Sequence, residues 1–190
     1  CWVLKCDIRK FFANIDHAIL MDILGKYIVD KDVLVLVGGI IGSFNTLGKI
    51  GVGLPLGNLT SQLLVNIYMN EFDGFVKHDL KEKQYIRYAD DFVVLAENRA
   101  HLEALIPKIG EFLKNKLRIE LHPDKLFLKT VASGVDFLGW VHFPDHRVLR
   151  TATKRRMVRR VHGEMSCAAI SSYRGHLSHG NAQKLSARHL

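Results

Sequence analysis

The sequence predicts an α+β domain, an antiparallel sheet backed by helices, followed by a small helical unit. Two observations carry that expectation. Hydrophobic periodicity alternates between two-residue and 3.6-residue repeats in the order β-α-α-α-β-β-α-β-β-β, after which only helical pattern remains. Charge is also unevenly spread. The net +8 of the 190 residues sits entirely after residue 146, where 10 Lys and Arg accompany one acid, Glu164, while residues 1–146 hold 17 basic and 18 acidic residues. Two domains are therefore expected, a near-neutral body over 1–146 and a cationic arm over 147–190.

Residues 2–8 alternate loosely and read as a strand with Asp7 near its end. Asp16 is an N-cap for an amphipathic helix through about Tyr27. A second apolar segment, 32–42, leads into a loop holding Gly42, Gly48, Gly51, Gly53 and Pro55, a density of glycine that marks turns or close backbone approach. From Thr60 to about Leu80 the residues Leu63, Leu64, Ile67, Tyr68, Phe72, Phe75 and Val76 recur at helical spacing, with Glu71 the polar exception. Residues 84–96 read as two strand runs meeting at an acidic pair. Asn98 caps the next helix, to about Lys116, and Pro107 marks a kink in it. Three short β-like runs follow at 118–121, 125–131 and 135–143. A basic helical pattern then begins at Thr151 or Thr153.

Composition excludes several classes. A chain of this length buries about 70% of the surface its unfolded form exposes, so it needs no staple. Cys1, Cys6 and Cys167 form neither a disulfide framework nor a metal spacing, which fits a reducing, cytoplasmic compartment. The longest apolar stretch, Val33 to Ile41, is too short to span a bilayer, and no membrane partner is expected. The cationic arm suits a polyanion, nucleic acid above all; its plainer reading is a solvated basic helix.

Asp90 and Asp91 join the runs YIRY and FVVLA. Adjacent negative charges in a tight turn between buried strands lose hydration and repel each other. No Lys or Arg is nearer in sequence than Arg87, so either the pair is exposed or a cation sits on it. Carboxylate oxygens are hard ligands suited to Mg²⁺. Yet 12 Asp in 190 residues make about one such pair expected by chance, and alone it is a weak signal. Asp7 strengthens it by ending another apolar strand, although in isolation it reads as a turn former. If the strands adjoin, three carboxylates converge at one edge. Two divalent ions about 3.5–4 Å apart could there activate a 3′-hydroxyl and stabilise a leaving pyrophosphate.

Five blocks now stand in order: LKCDIRKFF (4–12), GLPLGNLTSQLLVNIYMNEFD (53–73), YIRYADDFVVLA (85–96), LHPDKLFL (121–128) and DFLGW (136–140). Together they resemble the palm of the reverse transcriptases, with that family's usual separations, over most of residues 4–145. The resemblance implies an antiparallel-sheet polymerase palm with a primer-grip hairpin and a small helical thumb. It implies RNA-templated DNA synthesis with two Mg²⁺ ions (Mn²⁺ can substitute), an RNA template, a DNA or RNA primer and dNTPs. Carried over by position, Asp7, Asp90 and Asp91 are the metal-binding carboxylates, and Ile8 lends a backbone carbonyl. Phe12 is the aromatic under the deoxyribose that excludes a 2′-hydroxyl, with a core aromatic as its alternative role; Phe11 beside it is expected in the core. Arg9 and Lys10 counter the triphosphate charge, completing with Phe11 and Phe12 one nucleotide-side segment. Lys125 falls where the family has a lysine that protonates pyrophosphate, or is an exposed strand lysine. Phe137, Leu138, Gly139 and Trp140 match the hairpin that grips the primer end, and their aromatics could equally be sheet core. In the thumb region, residues 147–160 carry seven basic residues and no acid. On a helix Arg155, Arg156, Arg159 and Arg160 form a ridge for duplex phosphates, with Met157, Val158 and Val161 facing elsewhere. His162, His176, His179 and His189 accompany it.

The chain departs from the family's common P-Q-G-x-x-x-S-P pattern. It reads Pro55-Leu56-Gly57-Asn58-Leu59-Thr60-Ser61-Gln62, so Leu56 replaces a nucleotide-contacting Gln and Gln62 replaces a Pro. This form looks like the reverse transcriptases of diversity-generating retroelements, whose products are error-rich opposite template adenine. That resemblance implies a bacterial or phage source and an accessory protein that presents RNA. Losing a hydrogen-bonding check at Leu56 removes about 1–3 kcal/mol of discrimination. Alternatives are a defence-associated, retron or group II intron-like reverse transcriptase, or a non-catalytic RNA-binding scaffold. The family's fingers precede the first Asp block and are expected to be absent here, so the fragment alone need not be active.

Overall fold

Four strands in the order β2-β3-β1-β4 form the sheet that positions the acidic residues in the computed structural model, which describes residues 1–161 and 167–181. β1 (Trp2–Asp7) pairs antiparallel with β3 (Asp91–Ala96), from Trp2 opposite Ala96 to Asp7 opposite Asp91. β3 pairs on its other side with β2 (Tyr85–Tyr88), and β4 (Phe127–Thr130) is the far edge. Leu4, Cys6, Phe92 and Val94 of the two inner strands are at most 1% exposed. This burial is why β1 and β3 read as nearly continuous apolar runs.

Helices α1 (His17–Gly25), α2 (Lys31–Gly42), α3 (Leu59–Gly74) and α4 (Arg99–Leu117) complete this first unit, Cys1–Leu128. Asp16 caps α1 as expected, accepting from the Ala18 and Ile19 N–H groups at 3.0 and 3.1 Å. Asn98 caps α4 through the Ala100 N–H at 2.8 Å. Asp30, which the pattern does not single out, caps α2 in the same way. α3 buries Leu64, Val65, Tyr68, Met69 and Phe72, and α4 buries Leu102, Leu105, Ile109, Leu113 and Leu117. Each such side chain contributes about 1.5–3 kcal/mol relative to exposure. Phe72 centres an aromatic cluster, 5.0 Å from Phe92 and 6.1 Å from Phe112 between ring centroids. The Tyr68 hydroxyl ties α3 to α4 by donating to the Leu117 carbonyl at 2.6 Å.

Local departures from the expected elements have identifiable causes. The helix expected to reach Leu80 ends at Gly74 and passes into a π-turn over Phe75–Asp79, which shifts the face so that Val76 is buried. Leu63, counted in the apolar stripe, is 62% exposed. α4 runs through Pro107 unbroken. Residues 118–121 make no strand: Arg118 takes a left-handed conformation (φ 50°) and one bridge joins Ile8 to Leu121. α2 buries only Ile41.

The second unit, from Lys129 onward, is a meander β5-β6-β7 followed by two helices. β5 (Val135–Phe137) and β6 (Trp140–His142) flank a two-residue turn, so the expected run 135–143 is a hairpin. β7 (Arg147–Leu149) is not among the expected elements; its three residues lie within the basic stretch, and pairing with β6 rather than pattern makes them a strand. α5 (Thr151–Val161) starts at the earlier of the two anticipated positions, and α6 is Cys167–Leu177. Trp140, Leu149, Met157 and Leu177 form this unit's own core. Compactness divides the chain before the hairpin, at 128/129, whereas the sequence division falls after it, at 146/147. No helix among the described residues is long and apolar enough to cross a membrane.

Candidate active site

Register brings the acidic residues together. Asp7 and Asp91 are direct partners across β1 and β3, which sets their side chains on one side of the sheet with Cβ atoms about 4.5–5.5 Å apart. Asp90 precedes Asp91 in the turn, and its carbonyl accepts from the Ile8 N–H at 3.2 Å. Residues distant in sequence thus converge at one sheet end. Like charges so placed destabilise one another, and the chain compensates with lysines. Lys125 Nζ lies 3.2 and 3.1 Å from the two Asp7 carboxylate oxygens. Lys5 Nζ lies 3.1 Å from Asp91 Oδ2. Burial pushes the Asp90 carboxyl above its ordinary value, and the Asp7 charge adds to it. Asp91 is raised by burial too, with Lys5 opposing and Asp7 and Asp90 adding.

Among the described residues no three His, Cys, Asp or Glu side chains form a ready metal cage. The donor set nonetheless fits a hard divalent cation. Asp91 Oδ1 is buried without a hydrogen-bond partner, and carboxylate oxygens are the ligands such an ion prefers. Lys5, missed in the sequence, was recoverable: it stands two residues before Asp7 on the same strand face.

The segment after Asp7 splits by burial. Arg9 and Lys10 are exposed, and Lys10 adopts φ 46°. They open a cleft of about 480 Å³ lined also by Asn14, Lys49, Lys114, Arg118 and Glu120. Phe11 is 2% exposed and belongs to the core, so its ring is not available to a nucleotide. Phe12 is half-buried, edge-on to Phe11 at 5.5 Å, and its carbonyl accepts from the Leu54 N–H at 2.8 Å. That bond moors the glycine loop. The His17 Nε2–H donates to the Gly53 carbonyl at 2.6 Å, and the Gly53 N–H donates to the Ile15 carbonyl at 2.8 Å. Gly53 sits at φ 107°, where a Cβ would fall 2.1 Å from Thr46 Oγ1. Beyond it, Leu56 is 77% exposed, Gly57 has φ 89°, and Gln62 is exposed.

A second missed group surrounds the Asp90 turn. Arg87 forks onto Asp73, with Nε 2.8 Å from Oδ1 and a terminal nitrogen 2.6 Å from Oδ2. Its other terminal nitrogen donates to the Ala89 carbonyl at 3.0 Å and to Asn66 Oδ1 at 3.3 Å. The Tyr85 hydroxyl donates to Asp73 Oδ1 at 2.7 Å. The sequence signal was Arg87 alternating with Tyr85 on one face of β2.

In the second unit the hairpin aromatics are packed. Phe137 and Trp140 are 7% and 5% exposed, whereas Leu138 is 49% exposed at the tip. The Arg147 guanidinium lies 5.4 Å from the Trp140 ring centroid, and the Arg150 Nε–H donates to Asp136 at 2.8 Å. Gly180 packs so closely on Trp140 that a Cβ would meet the ring at 2.2 Å. On α5, Arg155, Arg156, Arg159 and Arg160 are exposed while Met157 is fully buried. His179 is exposed; His162 and His189 lie outside the described residues, as does the side chain of His176.

Comparison with known proteins identifies the family and the fold. The family model described as "Reverse transcriptase (RNA-dependent DNA polymerase)" matches residues 1–142. Protein YkfC of Escherichia coli (strain K12) is 28% identical over 193 residues, covering 80% of this chain and 48% of that protein. The group II intron-encoded protein LtrA of Lactococcus lactis subsp. cremoris is 24% identical over 222 residues, covering 82% and 36%. The chain thus spans about half or less of the length of these relatives. Among solved structures, a Candida tropicalis telomerase truncated from its C-terminal domain superposes with TM-score 0.58 at 13% identity, covering 78% of this chain and 35% of that one. The foamy viral protease-reverse transcriptase in complex with an RNA/DNA hybrid superposes with TM-score 0.55 at 19% identity, covering 92% and 20%.

Proposed function

The chain belongs to the reverse transcriptase family, and from that premise we propose that it forms the catalytic palm and part of the thumb of an RNA-templated DNA polymerase. One observation carries the reading. The β1–β3 register sets Asp7 opposite Asp91 while Asp90 is tied to Ile8. A module that only bound RNA would gain nothing from opposed carboxylates at a buried strand end. Asp7, Asp90 and Asp91, with the Ile8 carbonyl, would hold two Mg²⁺ ions (or Mn²⁺). When bound, these ions supply a more acidic primer hydroxyl and charge compensation for pyrophosphate.

The chain's own residues do the rest. Lys5 neutralises Asp91 Oδ2 from within the sheet. Lys125, half-exposed against Asp7, holds the proton that its Nζ gives to the departing pyrophosphate. Arg9 and Lys10 draw the triphosphate of a dNTP, Phe12 excludes a 2′-hydroxyl, and Leu56, Gly57 and Gln62 border the base pair. Leu138 and Gly139 present the hairpin tip to the primer end, supported by Phe137 and Trp140. Arg155, Arg156, Arg159 and Arg160 bind template–primer phosphates without reading sequence. Changing Asp90 to Asn in the full-length protein abolishes primer extension and spares RNA binding; persistent extension refutes the assignment.

Leu56 favours an error-prone enzyme of a diversity-generating retroelement, with an RNA-presenting accessory protein. The likeness to a group II intron-encoded protein favours an intron-type enzyme as second reading. Sequencing cDNA made on a defined template separates them. Errors confined to template adenine, reduced by Leu56→Gln, support the first; uniform fidelity supports the second.

A further inference from the structure

We propose that Arg87 is the positioning residue of the catalytic turn. Through the Ala89 carbonyl it holds the backbone that presents Asp90, and it acts by geometry, without touching substrate. The inference rests on the polymerase reading for its consequence and on the fold alone for its cause. Ala89 sits at φ 52°, a left-handed conformation that strains an L-residue. Such a turn persists only where its surroundings over-determine it. Here two hydrogen bonds hold it from opposite sides. The Ile8 N–H grips the Asp90 carbonyl from β1, and Arg87 grips the Ala89 carbonyl from β2. The first comes from the residue beside Asp7, so the two catalytic segments are tied through backbone. The second comes from outside the acidic cluster.

Arg87 is suited to this because its own position leaves little freedom. Its side chain is 9% exposed. Four of its five N–H groups have partners: two go to the Asp73 carboxylate, one to Asn66 and one to Ala89. Asn66 and Asp73 are seven residues apart, two turns along one face of α3, so helix and edge strand are locked by a single guanidinium. The Tyr85 hydroxyl occupies Asp73 Oδ1 as well; burial, then the Asp73 charge, hold that phenol above its ordinary range, so it stays a donor. Lysine cannot reproduce this arrangement. A point ammonium can meet Asp73 but cannot span three partners in a fixed plane. The carboxylate of Asp73 therefore serves to orient the guanidinium, and the guanidinium to orient the turn.

The test uses the full-length protein with Arg87→Lys, Asp73→Asn and Tyr85→Phe, and reads two quantities. Primer extension per folded molecule falls on the order of 10²-fold in kcat for Arg87→Lys, since a misplacement of about 1 Å at a reacting group has that effect. The KM for dNTP and the affinity for template–primer stay within about twofold. Asp73→Asn gives a smaller loss, because the Ala89 bond survives, and Tyr85→Phe a smaller one still. Hydrogen exchange is the readout that needs no activity. In Arg87→Lys the Ile8 amide, bonded to Asp90, exchanges about tenfold faster while the amides of Leu4 and Val94 do not change. Unchanged Ile8 protection overturns the positioning role. So does a loss of activity that only tracks a lowered melting temperature, or one that appears in KM with kcat intact. If Ile8 exchange accelerates but the parent enzyme extends no primer, the clamp stands and the polymerase reading alone fails.

Discussion

Gly53→Ala offers a sharp check on how the glycine loop is held against Phe12. Alanine at φ 107° is strained by about 1–3 kcal/mol. Its Cβ would also lie 2.1 Å from Thr46 Oγ1 and 3.1 Å from the Thr46 backbone nitrogen. The hydroxyl is anchored on the Ala13 carbonyl at 2.9 Å, and the nitrogen donates to the Val52 carbonyl at 2.7 Å, so neither gives way freely. Overpacking of this kind adds about 1–3 kcal/mol. The total, about 2–6 kcal/mol, is a large share of a typical stability of about 5–15 kcal/mol. At about 2–4 °C per kcal/mol, the melting temperature followed by circular dichroism drops by at least 4 °C. Thr46→Ala combined with Gly53→Ala removes the worst overlap but loses the bond to Ala13 and keeps the backbone strain. The pair therefore recovers only part of the loss. A Gly53→Ala protein melting within 1 °C of the parent, or full recovery in the pair, would refute the argument that backbone conformation dictates glycine here.

Three further outcomes follow from the electrostatics. Because Asp90 is raised in the fold above its unfolded value of 3.8, it subtracts stability once pH climbs past the unfolded value, and fully so above the folded one. Asp90→Asn should thus melt higher than the parent at pH 7, and that gain should shrink as pH falls toward 4 in a thermal-denaturation series; a variant less stable at pH 7 contradicts the sign. Asp16 has the opposite sign. Burial opposes its ionisation, but the Ile19 and Ala18 N–H groups and Arg118 outweigh burial and lower its value. Its contribution is present at neutral pH and fades in acid, so Asp16→Ala destabilises most at pH 7. On α5, replacing Arg155 and Arg159 with Gln should lower the slope of log affinity against log salt for a primer duplex by about 0.9 for each phosphate left without its arginine. An unchanged slope in filter binding removes that ridge from the nucleic-acid interface.

Much of the first unit was legible because local signals and tertiary placement agree there. Asp16 and Asn98 cap the helices that their side chains announce, and Asp7 and the Asp90 turn meet because each ends an apolar strand. What stayed hidden depends on pairing or on turn conformation. β7 exists through its partner β6, not its composition, and the π-turn at Phe75–Asp79 changes which residues face inward without changing the apolar count. Lys125 was harder still. Its role as counter-charge to Asp7 appears only once two segments 118 residues apart are side by side. In the sequence Arg87 shows its nearness to the acidic pair and its alternation with Tyr85, whereas in space it serves the carbonyl beside that pair.

The hairpin tip at Leu138–Gly139 carries a consequence for engineering. Both residues have positive φ, 52° and 83°, the geometry of a type I′ turn in which asparagine is favoured at the first position. Leucine there is strained and 49% exposed. A library selected for heat resistance alone would drift toward Asn at this site, gaining rigidity while stripping away the greasy knuckle that the chain keeps turned toward solvent. Screening such libraries for survival at high temperature and for product length in parallel would reveal how far those two demands diverge.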